Sequence, residues 1–231
     1  MGEMMAEAVH SESVNLQGPV LPADLVVPEQ AQGLVLFAHG SGSSRLSQRN
    51  RWVAEVLQQR GLATLLFDLL TEDEARDRRK VFNIPLLGRR VELAMDWVDQ
   101  RADLTHLRLG LFGASTGAAA ALSAAARRPT HVQAVVSRGG RPDLAMDQLP
   151  RVRAPTLLIV GEKDPEVLAL NREALRRLGG AKRLEVVPGA THLFVEKGAL
   201  ESAAALAVAW FNQFLGGEAP ASGGGEGGLG R

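Results

Sequence analysis

Three residues of this chain, Ser115, Asp164 and His192, are of the types that turn a hydroxyl into a nucleophile. A serine attacks a carbonyl efficiently only when a base removes its proton. Imidazole does this best when a carboxylate fixes its tautomer and steadies its cation. Ser115 stands in Gly113-Ala114-Ser115-Thr116-Gly117, the pattern G-x-S-x-G, directly after the apolar run Leu107 to Phe112 and before the small helix formers Ala118 to Ala126. Strand, sharp turn and helix in that order lift a serine hydroxyl out of a sheet, and so tight a reversal needs small residues two positions to either side. Taken alone the pentapeptide also fits an ordinary strand-to-helix turn.

The partners must come from elsewhere in the chain. Asp164 follows the apolar run Thr156 to Val160, and His192 follows Arg183 to Val187 in Pro188-Gly189-Ala190-Thr191-His192. Both positions fall at C-terminal strand ends, where open α/β sheets place their ligands. Asp164 has a competing use as the cap of a helix beginning at Pro165. Of the other histidines, His10 lies in a polar leader, His106 precedes a strand and His131 joins a helix to a strand.

A tetrahedral intermediate also needs donors for its oxyanion, and the Thr116 N–H is the first. The second is expected from the loop His39-Gly40-Ser41-Gly42-Ser43-Ser44, with the Ser41 N–H as the choice and Gly42 as fallback. His39 reads as a ring that pins this loop, and His39, Gly40 and Gly42 are weaker substrate contacts. Arg45, Arg138 and Arg141 are candidates to hold a substrate carboxylate by a forked pair of hydrogen bonds. Each competes with a plain salt bridge, for instance to Asp143. The run Gly40-Ser41-Gly42 followed by Asp68 also resembles part of a dinucleotide site, but Arg45 stands where a third glycine belongs.

To bring these loops together the chain needs a parallel sheet. Strands are expected at Gly33–Ala38, Thr64–Asp68, Arg108–Phe112, Ala134–Ser137, Thr156–Val160 and Arg183–Val187, with an antiparallel lead-in near Ser13–Leu16 and Asp24–Val27. Amphipathic helices are expected at Asn50–Arg60, Leu86–Arg101, Gly117–Arg127, Val167–Leu178 and Leu200–Leu215. The alternation is that of a doubly covered α/β sheet of about seven or eight strands. Thr71 to Lys80 reads as a solvated loop or exposed helix, and the stretch from Arg138 to Pro155 is too short for a lid domain. Residues 1–20 are expected as a flexible or strand-forming leader, 21–215 as one domain and 216–231 as a flexible Gly-rich tail.

With 231 residues and 45% hydrophobic content, the chain can bury a substantial core. Its 26 basic and 26 acidic residues create no net field, which argues against nucleic acid or membrane as partner and favours a small-molecule substrate. There is no cysteine, so thiolate metal sites, disulfides and a cysteine nucleophile are excluded. Neither a signal peptide nor a membrane helix is legible, and the expectation is a cytoplasmic protein that needs no metal or cofactor.

On the motifs at His39–Ser44, Gly113–Gly117, Pro155–Asp164 and Pro188–His192, the chain resembles the α/β-hydrolase superfamily, and more narrowly its lidless dienelactone hydrolase-like branch, over roughly Val35 to Leu215. The order Ser115, Asp164, His192 is that superfamily's order. The resemblance implies a triad of these residues, with Ser41 and Thr116 lining the oxyanion hole. The namesake dienelactone hydrolases use cysteine where this chain has Ser115. The expected activity is hydrolysis of a small carboxylic ester through an acyl-enzyme. A thioesterase or small amidase with the same triad is the alternative, and a non-catalytic binding domain is the alternative of another class.

Overall fold

The computed structural model describes residues 9–216. The Gly-rich segment beyond Gly216 and the first eight residues of the leader lie outside the described residues.

Eight strands form a single sheet in the order β1-β2-β4-β3-β5-β6-β7-β8. They are β1 (Val9–Leu16), β2 (Leu21–Pro28), β3 (Gly33–Ala38), β4 (Leu62–Phe67), β5 (Arg108–Ala114), β6 (Val132–Arg138), β7 (Thr156–Gly161) and β8 (Lys182–Val187). The strands β1 and β2 pair antiparallel, and β2 pairs antiparallel with β4, so the expected lead-in extends the sheet at one edge. From β4 to β8 every pairing is parallel.

Alternate residues of a strand face opposite sides of a sheet, and both sides here are apolar. Leu34, Leu36, Leu109 and Leu111 face one core, closed by α4 (Ile84–Asp99) and α5 (Thr116–Arg127). Val35, Phe37, Phe112 and Val136 face the other, closed by α1 (Gln48–Gln58) and α7 (Ala199–Leu215). A further long element, α6 (Pro165–Arg177), lies between β7 and β8.

Helix starts deviate by up to two residues from expectation, for local reasons. Asn83 caps α4 by accepting from the Leu86 N–H, which draws Ile84 and Pro85 into the first turn. Thr71 to Lys80 is not a plain loop. It forms α2 (Glu72–Ala75) and α3 (Arg78–Val81), with a Thr71–Glu74 capping box starting the first. Burial opposes the ionisation of Glu74, yet the hydrogen bonds from Thr71 and the charges of Arg90 and Lys80 hold its carboxyl below the usual range. The connection after β6 holds only the short 3-10 segment Pro142–Arg151, so no separate lid domain occurs among the described residues.

Candidate functional site

Ser115 sits between β5 and α5 with φ 51° and ψ −122°. Positive φ in a residue with a side chain is strained, and such strain persists only where the surroundings enforce it. Here the surroundings are two close approaches. A Cβ at Gly113 would lie 2.4 Å from Ala118 Cα, and one at Gly117 would lie 2.2 Å from Ala38 O and 2.4 Å from His39 O. The elbow is held by backbone as well: Ser115 N–H donates to Arg138 O at 3.2 Å, and Arg141 N–H donates to Ser115 O at 3.0 Å.

Asp164 and His192 come from neighbouring loops and meet at 2.6 Å between Oδ2 and Nδ1. Although Asp164 occupies the cap position of α6, its side chain makes no capping bond. The carboxylate is therefore given to the histidine rather than to the helix. The two loops are cross-tied: Lys163 N–H donates to Ala190 O at 2.9 Å, and Gly189 N–H donates to the Glu162 carboxylate at 2.7 Å. Glu196 fixes the residue beside His192, accepting from Thr191 N–H at 3.0 Å and Thr191 Oγ1 at 2.7 Å. The Thr191 hydroxyl and N–H hold the Glu196 carboxyl below the ordinary range.

Ser115 and His192 line one cavity of about 260 Å³, together with Ser41, Arg49, Asn50 and Arg138. No hydrogen bond joins Ser115 Oγ to His192 among the described residues, a spacing often seen before substrate tightens such a site. A larger cavity of about 550 Å³ adjoins it, lined by Gly40, Ser41, Gly42 and Thr116 on one side and by Leu69, Ala75, Val81 and Leu87 on the other.

The oxyanion loop differs in detail from expectation. Ser41 N–H, expected as an open donor, donates to Thr116 Oγ1 at 2.7 Å. Thr116 thus contributes a side chain as well as its N–H at the start of α5, and the Ser41 donor is satisfied internally at rest. Gly42 has φ 68°, a left-handed conformation glycine adopts freely, and it lines the larger cavity. His39 pins the loop as expected: its Nε2 accepts from Leu69 N–H at 3.0 Å, so the proton resides on Nδ1, which donates to Gly40 O at 3.0 Å. Burial, opposed by the Gly40 hydrogen bond and by Asp68, pushes the His39 pKa below its ordinary value.

This arrangement sets a pH dependence of stability. Below about pH 6.5 an unfolded imidazole takes up a proton that the buried ring resists, so the unfolded state binds more protons and stability falls as pH drops from there toward the folded pKa. A His39→Leu variant is expected to lose about 1–3 kcal/mol at pH 7.5, through the stranded Leu69 N–H. It also loses this acid-side slope, and urea midpoints measured from pH 7.5 to 5.5 check both.

The profile of the dienelactone hydrolase family matches residues 22–216. The chain belongs to that family. A solved structure named dienelactone hydrolase, from Anabaena variabilis, is 56% identical, covers 90% of this chain and 99% of its own, and superposes with a TM-score of 0.86. A cold-adapted esterase from an Arctic intertidal metagenomic library shares the fold at 20% identity, with a TM-score of 0.72 over 90% of this chain and 94% of its own. Two strains of Mycobacterium tuberculosis carry proteins named "Putative phosphoribosyl transferase" that are 57% identical over 204 residues, 88% of this chain. This chain spans 46% of the length of those relatives.

In this member of the dienelactone hydrolase family the three candidate arginines separate clearly. Arg45 is committed within the protein: its guanidinium pairs with Asp68 at 2.7 Å and approaches Asp24 at 3.4 Å, and its N–H donates to Asp68. The same pairing removes Asp68 from any ribose-binding role. Arg141 forks onto Asp143 with both bonds at 2.8 Å. These two are corrections: each guanidinium has a carboxylate of its own, so the side chain is not held out for a substrate anion.

Arg138 alone among the three has no carboxylate partner among the described residues. The sequence reading placed Arg49 and Asn50 only within the stretch Arg45–Asn50 beside the catalytic loops, without singling them out, and gave no role to Glu162 or Glu196. Arg49 and Asn50 lie five and six residues past the end of the expected oxyanion loop, which was the available signal. The two glutamates carried none, because loop cross-ties depend on how separate loops meet.

Proposed function

We propose that this protein hydrolyses small carboxylic esters through a serine-bound acyl-enzyme. The observation that carries the reading is the 2.6 Å Asp164–His192 contact beside a positive-φ serine in the same cavity. With Nδ1 donating to Asp164, the Nε2 of His192 is left as the basic nitrogen. It takes the Ser115 proton as Oγ bonds to the substrate carbonyl carbon, and the carbonyl oxygen becomes an oxyanion facing the Thr116 N–H. His192 then protonates the leaving alkoxide as the ester C–O bond breaks. Water, deprotonated by His192, attacks the acyl carbon, and Ser115 leaves with the returned proton.

Membership of the dienelactone hydrolase family and the 56% identity to the Anabaena protein of that name support a hydrolase of this class. The apolar walls of the larger cavity suit a short acyl or alcohol group. No described helix is long and apolar enough to cross a membrane. The proposal concerns only the part of the mycobacterial relatives that this chain matches.

The test is labelling with an active-site phosphonate, followed by intact mass and peptide mapping, beside turnover of p-nitrophenyl esters from acetate to decanoate. One adduct mapping to Ser115, with turnover favouring short acyl chains, is the expected result. No adduct and no turnover in folded protein would leave a binding domain, and a clear preference for decanoate would remove the small-substrate reading.

A further inference from the structure

The sheet ends at β8, and no strand lies beyond it among the described residues. Thr156 N–H donates to Ala181 O and Glu162 N–H to Val187 O, so alternate residues from 181 to 187 bond toward β7. Lys182, Leu184 and Val186 therefore turn their backbone N–H and C=O groups outward, where an unpaired edge is a template for another strand. A lysine reaching across such an edge often guards it. Here Lys182 is turned away: its Nζ donates to Leu178 O at 2.7 Å, just past the end of α6. Val186, although apolar, is exposed.

Side chains alternate across the strand as well. Val187 belongs to the core under α7 and Leu184 packs on the opposite one, which puts Arg183 and Glu185 on the α7 face with Val187. The two form an ion pair along the strand, and the Arg183 side chain is exposed. Beside them runs an apolar groove of about 380 Å³ between β8 and α7, walled by Val187, Pro188, Ala205, Leu206 and Ala209.

We infer that β8 pairs antiparallel with β8 of a second copy, joining two sheets into one across a two-fold axis at Leu184. The chemistry of the edge selects that register. Opposite residues of an antiparallel pair are both hydrogen-bonded or both not, so the axis passes through a residue and not between two. An axis at Glu185 would set two carboxylates face to face, and one at Arg183 two guanidinium groups; like charges directly opposite are destabilising. An axis at Val186 would put Pro188, which has no N–H, opposite Leu184, and one at Lys182 runs off the start of the strand. At Leu184, each Arg183 stands opposite the partner's Glu185 in a non-hydrogen-bonded pair, where side chains approach most closely, and Lys182, Leu184 and Val186 all find backbone partners. Such an axis is perpendicular to the sheet. Both α7 helices therefore stay on one face, and the two apolar grooves face each other across the seam.

The experiment is equilibrium sedimentation of the full chain from about 1 to about 100 μM, a range in which modest interfaces associate. Wild type is expected at the mass of two chains at the top of that range. Arg183→Glu and Glu185→Arg each set like charges opposite one another twice, and each is expected to weaken association by about 10- to 100-fold. Mixed one to one, the two variants are complementary, and the mixture is expected to return to the mass of two chains. Val186→Pro removes an outward N–H and no bond to β7, and is expected to weaken association by about 5- to 20-fold. Circular dichroism checks that each variant is folded.

Wild type that stays monomeric at about 100 μM would overturn the inference. So would a dimer whose dissociation constant changes less than about twofold in all three variants, because its interface would lie elsewhere. Charge variants that weaken association yet stay apart when mixed would overturn it too, since the effect would then lie within each chain. None of these outcomes bears on the ester-hydrolase reading, which phosphonate labelling tests separately.

Discussion

Replacing Ser115 by alanine is expected to lower kcat for a short-chain ester by about 10⁶-fold and to abolish phosphonate labelling, with folding unchanged, because the small side chain fits the same elbow. Replacing Asp164 by asparagine is expected to cost about 10⁴-fold, since an amide facing Nδ1 no longer selects the tautomer that leaves Nε2 basic. The two variants separate nucleophile from positioning: Asp164→Asn still takes the phosphonate slowly, whereas Ser115→Ala never does. Single-turnover kinetics and intact mass measure both. Full activity in Ser115→Ala would place the chemistry on another residue.

The second large effect concerns the elbow itself. Gly117→Ala puts a methyl 2.2 Å from the Ala38 carbonyl oxygen and 2.4 Å from that of His39, both backbone atoms of the β3 strand end. Neither can swing aside as a side-chain tip would, so α5 must move off the sheet. The expected cost is about 3–5 kcal/mol, a fall in Tm of roughly 6–20 °C for a domain of this size. The shift of α5 carries Ser115 with it, and activity is expected to fall further than the population of folded protein does. Thermal unfolding followed by circular dichroism gives the first quantity, and ester turnover well below Tm gives the second. A Tm within about 3 °C of wild type would show that the elbow tolerates the methyl.

The same glycine illustrates how far the residue pattern reached. Gly113 and Gly117 around Ser115 require a tight reversal, and the clash distances show why. The strands were legible because both faces of the central sheet are apolar, which gives uninterrupted runs bounded by polar loops. The pairing of Asp164 with His192 was legible from strand ends alone, and the geometry settles the choice between capping and pairing, since the cap bond is absent.

What escaped were contacts whose partners are remote in sequence. Arg45 finds Asp68 across 23 residues, and Arg138 finds Asn50 across 88. Which arginine keeps its charge free depends on which carboxylate the fold brings near, and no local pattern carries that. Ser41 was placed in the right loop, yet its donor is taken by the Thr116 hydroxyl, a contact across 75 residues. The helices α2 and α3 were half-visible, because their cap and charge pairs are local while their place against the larger cavity is not.

The cross-ties between the loops at 161–164 and 187–192 divide the site into two bodies. Asp164 and His192 ride together on the β7–β8 edge, whereas Ser115 is bonded to the end of β6 on the other side. Between them runs the pairing of β6 with β7, which extends only over Val135–Arg138 and Thr156–Ile159. The separation of carboxylate from imidazole is held by those ties, whereas the separation of His192 from Ser115 depends on the β6–β7 pairing. On the proposed reading, a shift of the two halves along that seam would change how readily the proton leaves Ser115 and would leave the Asp164–His192 contact as it is.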